Sequence, residues 1–157
     1  MDYRIRPMQP PEYSLLRDFL YQAIYLPEGT PPPPRSILQS PDLRVYIQNF
    51  GRSPHDRCLV AETAEGLAGA VWSRIMADYG HIDNDTPSLA IALCPAYRGQ
   101  GIGTALLIAM LDLLRKAGYP QVSLSVQKAN PALRLYRRLG FTTAADHGEE
   151  LVMACRL

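Results

Sequence analysis

Apolar and polar positions along this chain repeat with two periods, and the changes between them mark its elements. Tyr3–Arg6 alternates and is closed by Pro7, which predicts a short first strand. Pro10-Pro11-Glu12 opens a helix, proline suiting a first turn and an acidic residue its positive end. Leu15, Leu16, Phe19, Leu20, Ala23 and Ile24 recur at helical spacing as a core-facing stripe, and Pro27–Thr30 stops it. Pro31–Pro34 reads as a stiff connector rather than a polyproline ligand, since no repeated P-x-x-P context surrounds it. Ser36–Gln39 predicts a helical turn, and Pro41–Phe50 a further helix with Ser40 as cap and Gly51 as stop. Arg57–Thr63 and Leu67–Met76 predict a hairpin around Ala64-Glu65-Gly66. A polar loop, Asp78–Asp85, follows, and Pro87 delays the next strand to Ser88.

The apolar run Leu89–Leu93 stops at Pro95 and passes through Arg98-Gly99-Gln100-Gly101-Ile102-Gly103 into a helical pattern reaching Ala117. Ile102, Leu106, Ala109, Met110, Leu113 and Ala117 form its stripe; Arg115 and Lys116 suit its negative end, and Gly118 caps it. Gln121–Val126 predicts a strand, and Thr142–Ala145 and Leu151–Arg156 the two closing ones, making seven strands in all.

A strand that feeds through glycines into a helix is suited to holding phosphate. The first amides of a helix lack intrahelical partners, the peptide dipoles add positive potential there, and glycine lets the backbone approach a ligand. A P-loop is excluded because no Lys-Ser or Lys-Thr pair follows. The dinucleotide pattern G-x-G-x-x-G fails in both registers, at Thr104 and at Leu106, and no acidic ribose ligand lies about twenty residues on. What fits is [Q/R]-x-x-G-x-[G/A], filled by Arg98, Gly101 and Gly103. Downstream, Asn130-Pro131-Ala132-Leu133-Arg134-Leu135-Tyr136-Arg137-Arg138-Leu139-Gly140-Phe141 follows at the spacing N-x-A-x-x-L-Y-x-x-x-G-F. Two such motifs, in this order and separated by one helix and one strand, resemble those of the GNAT superfamily of N-acetyltransferases over roughly residues 86–145.

The resemblance implies an α/β fold in a single domain, residues 1–157: a mixed, mostly antiparallel sheet of about seven strands, helices on both faces, and a splay between the two central parallel strands. It implies acetyl-CoA as cosubstrate and direct attack of a primary amine on the thioester. The pyrophosphate would meet the amides of Gly99, Gln100, Gly101, Ile102, Gly103 and Thr104, with Arg98 or Gln100 adding a side chain. The pantetheine amides would pair with Ile91, Ala92 and Leu93 like an added strand, and Asn130 would touch the cofactor. Tyr136 would be the general acid for the departing thiolate.

The chain departs from the pattern it resembles where a base is expected, with Ser125 on one strand and Pro87-Ser88 at the start of another. Asn130 also lies one residue nearer the Leu-Tyr pair than in the longer form of the motif. Glu62, on a strand, is a base candidate, alongside Asp78, His81, Asp83 and Asp85 on the loop. The missing strand glutamates keep open a non-catalytic acyl-CoA-binding or regulatory module, and the motifs do not separate an amine from a hydroxyl acceptor. The acceptor pocket would be built from Tyr25–Arg35, Tyr46–Phe50 and Trp72–His81, which carry no concentrated acidic face.

Composition adds exclusions more than assignments. A net charge of +1 gives no general pull toward nucleic acid or an anionic membrane. No apolar run approaches the roughly 18 residues of a spanning helix, and no signal-peptide core is seen, so a cytoplasmic protein is expected. Cys58, Cys94 and Cys155 lie far apart without metal-ligand spacing, and His55, His81 and His147 are scattered, so no metal is expected. Cys94 reads as a small apolar residue ending a strand rather than a nucleophile. The resemblance leaves a homodimer open.

Overall fold

Strands with an apolar residue at every second position need a partner layer on each face that this pattern makes apolar. The computed structural model describes residues 2–157. Strands β1 (Arg4–Pro7), β2 (Arg57–Thr63), β3 (Gly66–Arg74), β4 (Ser88–Leu93), β5 (Gln121–Gln127), β6 (Thr142–Asp146) and β7 (Glu150–Arg156) form one sheet in the order β1-β2-β3-β4-β5-β7-β6. All neighbours are antiparallel except β4 and β5. The helices are α1 (Leu16–Ala23), α2 (Pro41–Arg44), α3 (Ile102–Lys116) and α4 (Ala132–Arg138).

Alternation sorts the side chains into two cores. Leu89, Ile91 and Leu93 of β4, with Val122, Leu124 and Val126 of β5, pack on the face covered by α3 and α4. Leu106, Leu107, Met110 and Leu114 of α3 are fully buried there, each contributing about 1.5–3 kcal/mol of transfer free energy. Val60, Ala70, Trp72 and Ala92 face the other way, against Leu16, Phe19 and Leu20 of α1 and Tyr46. The second face of β5 carries Ser123 and Ser125, and this is where the apolar cover gives way to the site.

Two expectations are corrected. Leu15 is 39% exposed and outside the core stripe, because Pro10–Leu15 winds as a 3-10 helix and only from Leu16 onward does the α period apply. The helix expected over Pro41–Phe50 stops at Arg44 and continues as turns. Its later carbonyls are taken by side chains from β3. Arg74 Nη1 donates to Val45 O (3.0 Å) and Gln48 O (2.9 Å), and Trp72 Nε1 donates to Tyr46 O (3.0 Å). Ser40 makes no side-chain cap, although its carbonyl accepts from Arg44 N (2.8 Å).

The sheet opens at its centre. β4 and β5 pair only at Ser88 and Ser123, where Ser123 N donates to Pro87 O (3.0 Å); beyond that point they separate. Among the described residues, no helix is long and apolar enough to cross a membrane.

Candidate active site

The split leaves one edge of β4 without a partner strand. Because Pro87 O points at β5, the two-residue period of the backbone aims the amides and carbonyls of Ile91 and Leu93 into the gap. Arg98 closes the far end of that edge, its Nε donating to Leu93 O (3.1 Å) and its Nη2 reaching Gln22 O (3.3 Å). Arg98 is thus a brace between β4 and α1 rather than a free phosphate ligand. Gln100 is likewise engaged, donating to Ala96 O (3.1 Å).

The backbone at the mouth of α3 is the opposite case. Gly99 and Gly101 hold φ at +74° and +84°, a left-handed conformation that costs other residues about 1–2 kcal/mol. The first closed α-helical bond is Ala105 N to Gly101 O (3.1 Å). Among the described residues, the amides of Gly99 through Thr104 have no acceptor, and no side chain caps the helix. Six unpartnered amides at the positive end of a fifteen-residue helix are suited to an anion. Gly103 lies against Leu93 Cδ1, so a Cβ there would stand 3.3 Å from it; that packing seats the helix on the strand. Ile102 points into the core and is 1% exposed, leaving only its amide for a ligand.

A cavity of about 830 Å³ runs along this edge, bounded by Ile91–Leu93, Arg98, Gly99, Gly103, the Asn130–Ala132 turn and the end of α1. It is within the range for binding drug-sized and larger ligands. Asn130 uses its Oδ1 to accept from Ala132 N (2.9 Å), capping α4, and lines the cavity as well. Tyr136, one turn into α4, is 8% exposed and rests edge-on against Phe141, with ring centroids 5.9 Å apart. Its hydroxyl has no hydrogen-bond partner among the described residues and faces the cavity, and burial pushes its pKa up to about 12.

A second cavity, of about 190 Å³, adjoins the first and shares Ile24, Tyr25, Ile91, Asn130 and Tyr136 with it. Ser125, Gln127, Asn130 and Glu150, with Tyr46 and Tyr79, supply its polar lining. Behind Tyr46 sits Asp78, whose Oδ1 accepts from Ser88 Oγ (2.8 Å) and whose Oδ2 is buried without a partner. Burial raises the Asp78 pKa, while Ser88 and Tyr46 pull the other way. Burial, together with the Asp78 and Glu150 charges, raises that of the Tyr46 phenol. The Asp78 loop is pinned to β5: Ser123 Oγ donates to Gly80 O (2.6 Å), and a Cβ at Gly80 would stand 2.9 Å from the Leu124 carbonyl carbon.

Glu62 is not brought to either cavity. It sits at the β1–β2 edge with Arg4 (3.0 Å) and Arg6 (3.1 Å), and these guanidiniums lower its pKa, making it a poorer proton acceptor. The base role expected for it is dropped. Trp72, expected in the acceptor pocket, is fully buried in the core, and Asp83 turns back to accept from Asp85 N (2.9 Å). Sequence reasoning missed Glu150. It enters the site through the pairing of Gln127 with Glu150, and no local pattern around it announces that.

A sheet split beside an uncapped helix mouth, with two cavities meeting at a tyrosine, defines a cleft for moving a group between a phosphate-bearing carrier and an acceptor. Residues 20–141 match the family model described as Acetyltransferase (GNAT) family, and the chain belongs to that family. It is 40% identical over 85 residues to a mycothiol acetyltransferase of Thermobispora bispora, a match covering 53% of this chain and 29% of that protein. It is 38% identical over 89 residues to one of Clavibacter sepedonicus, covering 55% and 27%. The matches thus span under a third of these relatives' length. The fold is similar to that of a PaiA N-acetyltransferase from Thermoplasma acidophilum in complex with coenzyme A, with TM-score 0.73 at 19% identity over 100% of both chains. It is also similar to the GNAT domain of a PAT from S. lividans, with TM-score 0.73 at 20% identity over 99% of this chain and 90% of that one.

Proposed function

We propose that this protein is an acetyl-CoA-dependent N-acetyltransferase in which a primary amine attacks the thioester directly. The observation that carries this reading is the row of unpartnered amides from Gly99 to Thr104, opening onto the unpaired edge of β4. The amides receive the pyrophosphate, and the Ile91–Leu93 edge receives the pantetheine arm as an added strand. That alignment carries the thioester to the junction of the two cavities, beside Tyr136.

The amine lone pair forms the C–N bond as the carbonyl π pair moves to oxygen. The Leu93 amide, aimed into the gap, is placed to stabilise that oxyanion. Collapse breaks the C–S bond, and the Tyr136 hydroxyl gives its proton to the departing sulfur. With its pKa near 12, the phenol stays protonated at any physiological pH and so can donate. The names of the relatives and of the coenzyme A complex support the reading.

Calorimetry with acetyl-CoA and a free-thiol assay over an amine panel test it. Acetyl-CoA should bind, and Tyr136→Phe should lower kcat about 100-fold while leaving the binding constant within about twofold. Failure of the native protein to bind millimolar acetyl-CoA would remove the proposal; unchanged turnover in Tyr136→Phe would remove the tyrosine from the mechanism.

A further inference from the structure

Leu93 is held at every point but one. Its carbonyl accepts from Arg98 Nε (3.1 Å), and the amide that follows it, Cys94 N, donates to Ala68 O (2.9 Å). In an antiparallel ladder, hydrogen-bonded pairs alternate with pairs that turn their polar groups away from each other. Because Cys94 bonds Ala68, the next pair, Gly69 with Leu93, is of the second kind, and the Leu93 N–H points to the open side of β4. Among the described residues nothing on that side accepts from it, since β5 pairs with β4 only at Ser88.

The side chain is gripped as well. An added Cβ at Gly69 would stand 2.4 Å from Leu93 Cδ2, and one at Gly103 would stand 3.3 Å from Leu93 Cδ1. The two methyls of one leucine therefore fill two notches left by glycine, one on β3 and one in the first turn of α3. Gly69 is buried in its strand and is not among the glycines with positive φ, so its backbone conformation does not call for glycine. Space does: a Cβ there would also stand 2.6 Å from Ala92 O, a backbone atom that cannot turn aside. β3 and β4 lie this close because position 69 has no side chain.

A hydrogen-bond donor stabilises a transition state most when it is already fixed where charge will develop, because nothing then has to reorganise during the reaction. We propose that Gly69 and the Leu93 side chain are positioning residues for acyl transfer: the notches at Gly69 and Gly103 hold Leu93 by its two methyls and so fix its amide toward the thioester oxygen. The proposal rests on the transfer reading above and names what sets the geometry of its oxyanion donor. The same fork ties that amide to the mouth of α3. Gly103 supplies one notch through its missing side chain and one of the unpartnered helix amides through its backbone. The span from the pyrophosphate site to the oxyanion site is thus set by one leucine packed between a strand and a helix, which suits a thioester arm of fixed length.

The test compares the native protein with Leu93→Ala, Gly69→Ala, Gly103→Ala and the double variant Leu93→Ala with Gly103→Ala. Calorimetry reads acetyl-CoA affinity, and thiol release reads kcat with phenylethylamine, spermidine, glucosamine and alanine amide. Leu93→Ala adds no atom and removes both methyls, so kcat should fall about tenfold while the acetyl-CoA binding constant stays within about threefold. The factor should be the same for every amine turned over, because the oxyanion belongs to the acyl group; a merely packing role would not produce that split. Gly69→Ala has to displace β4 itself and should lower kcat about 100-fold, the scale of a lost oxyanion donor. Gly103→Ala presses only on Leu93 Cδ1, so the double variant should lie within about threefold of Leu93→Ala. Should Gly69→Ala fail to fold, Leu93→Ala and the double variant decide. A kcat for Leu93→Ala within about threefold of native, binding weakened beyond about threefold, a factor that changes with the amine, or additive losses in the double variant would each overturn the proposal. A native protein that binds no acetyl-CoA, or releases no thiol with any amine, would instead overturn the transfer reading beneath it.

Discussion

Arg6 shows how a few side chains fix the far edge of the sheet. It donates to Glu12 through both Nη atoms (2.8 and 2.9 Å) and to Glu62 (3.1 Å), while Glu12 also accepts from Gln9 N (2.8 Å). These bonds, the Arg6 pair foremost, hold the Glu12 pKa down to about 2 from an ordinary 4.5. A carboxylate whose folded pKa is depressed stabilises the fold above its unfolded value and loses that contribution as pH falls through the folded one. Stability should therefore drop between about pH 4.5 and about pH 2, and the drop should shrink in Glu12→Gln. Urea unfolding at several acidic pH values checks it; an unchanged slope in the variant would show that Glu12 is not the linked group. This residue, read in the sequence as a helix-start signal, is also one member of a four-charge cluster with Arg4, Arg6 and Glu62 that is completed by pairing of β1 with β2.

Among the elements, the least regular depends most on tertiary bonds. Val45–Phe50 winds through a mixture of i→i−3 and i→i−4 bonds rather than a regular helix, and is secured by Arg74, which is 8% exposed and pairs with Asp56 through Nε (3.1 Å) and Nη2 (3.1 Å). Removing one partner of a buried pair costs about 3–5 kcal/mol, so Arg74→Ala should lower the unfolding free energy by that amount in urea titration. A loss below about 1 kcal/mol would put the pair among ordinary surface bridges. This explains where sequence reading succeeded and failed. β2, β4 and α3 were legible because alternation, glycine caps and an apolar stripe are local signals. The helix expected over Pro41–Phe50 was wrong because its outcome lay with donors on β3, 26 and 29 residues away in the chain.

At the scale of the molecule, the site divides along the same line. Its phosphate half is contiguous in sequence, from β4 through the glycine turn into α3, so the motif could be read directly. The half that the transfer reading leaves to the acceptor draws on α1, the turn after α2, the loop after β3, and β5 and β7, and no single stretch carries the pattern. The acidic side of that half was invisible for the same reason: Asp78 and Glu150 are each ordinary until β4, β5 and β7 bring them near Tyr46. Because the two cavities share walls and meet at Tyr136, the transfer reading has both reactants bound together before any bond changes. Initial-rate plots against acetyl-CoA at several amine concentrations should intersect; parallel lines, the mark of an acetylated enzyme, would exclude direct transfer.

The Tyr25 hydroxyl reaches across to Ala129 O (3.0 Å), tying the segment after α1 to the turn that precedes α4. Tyr25 lines both cavities, so the tie holds a wall that the two have in common. On the transfer reading, cosubstrate and acceptor are therefore received against one wall that a single hydrogen bond keeps in place.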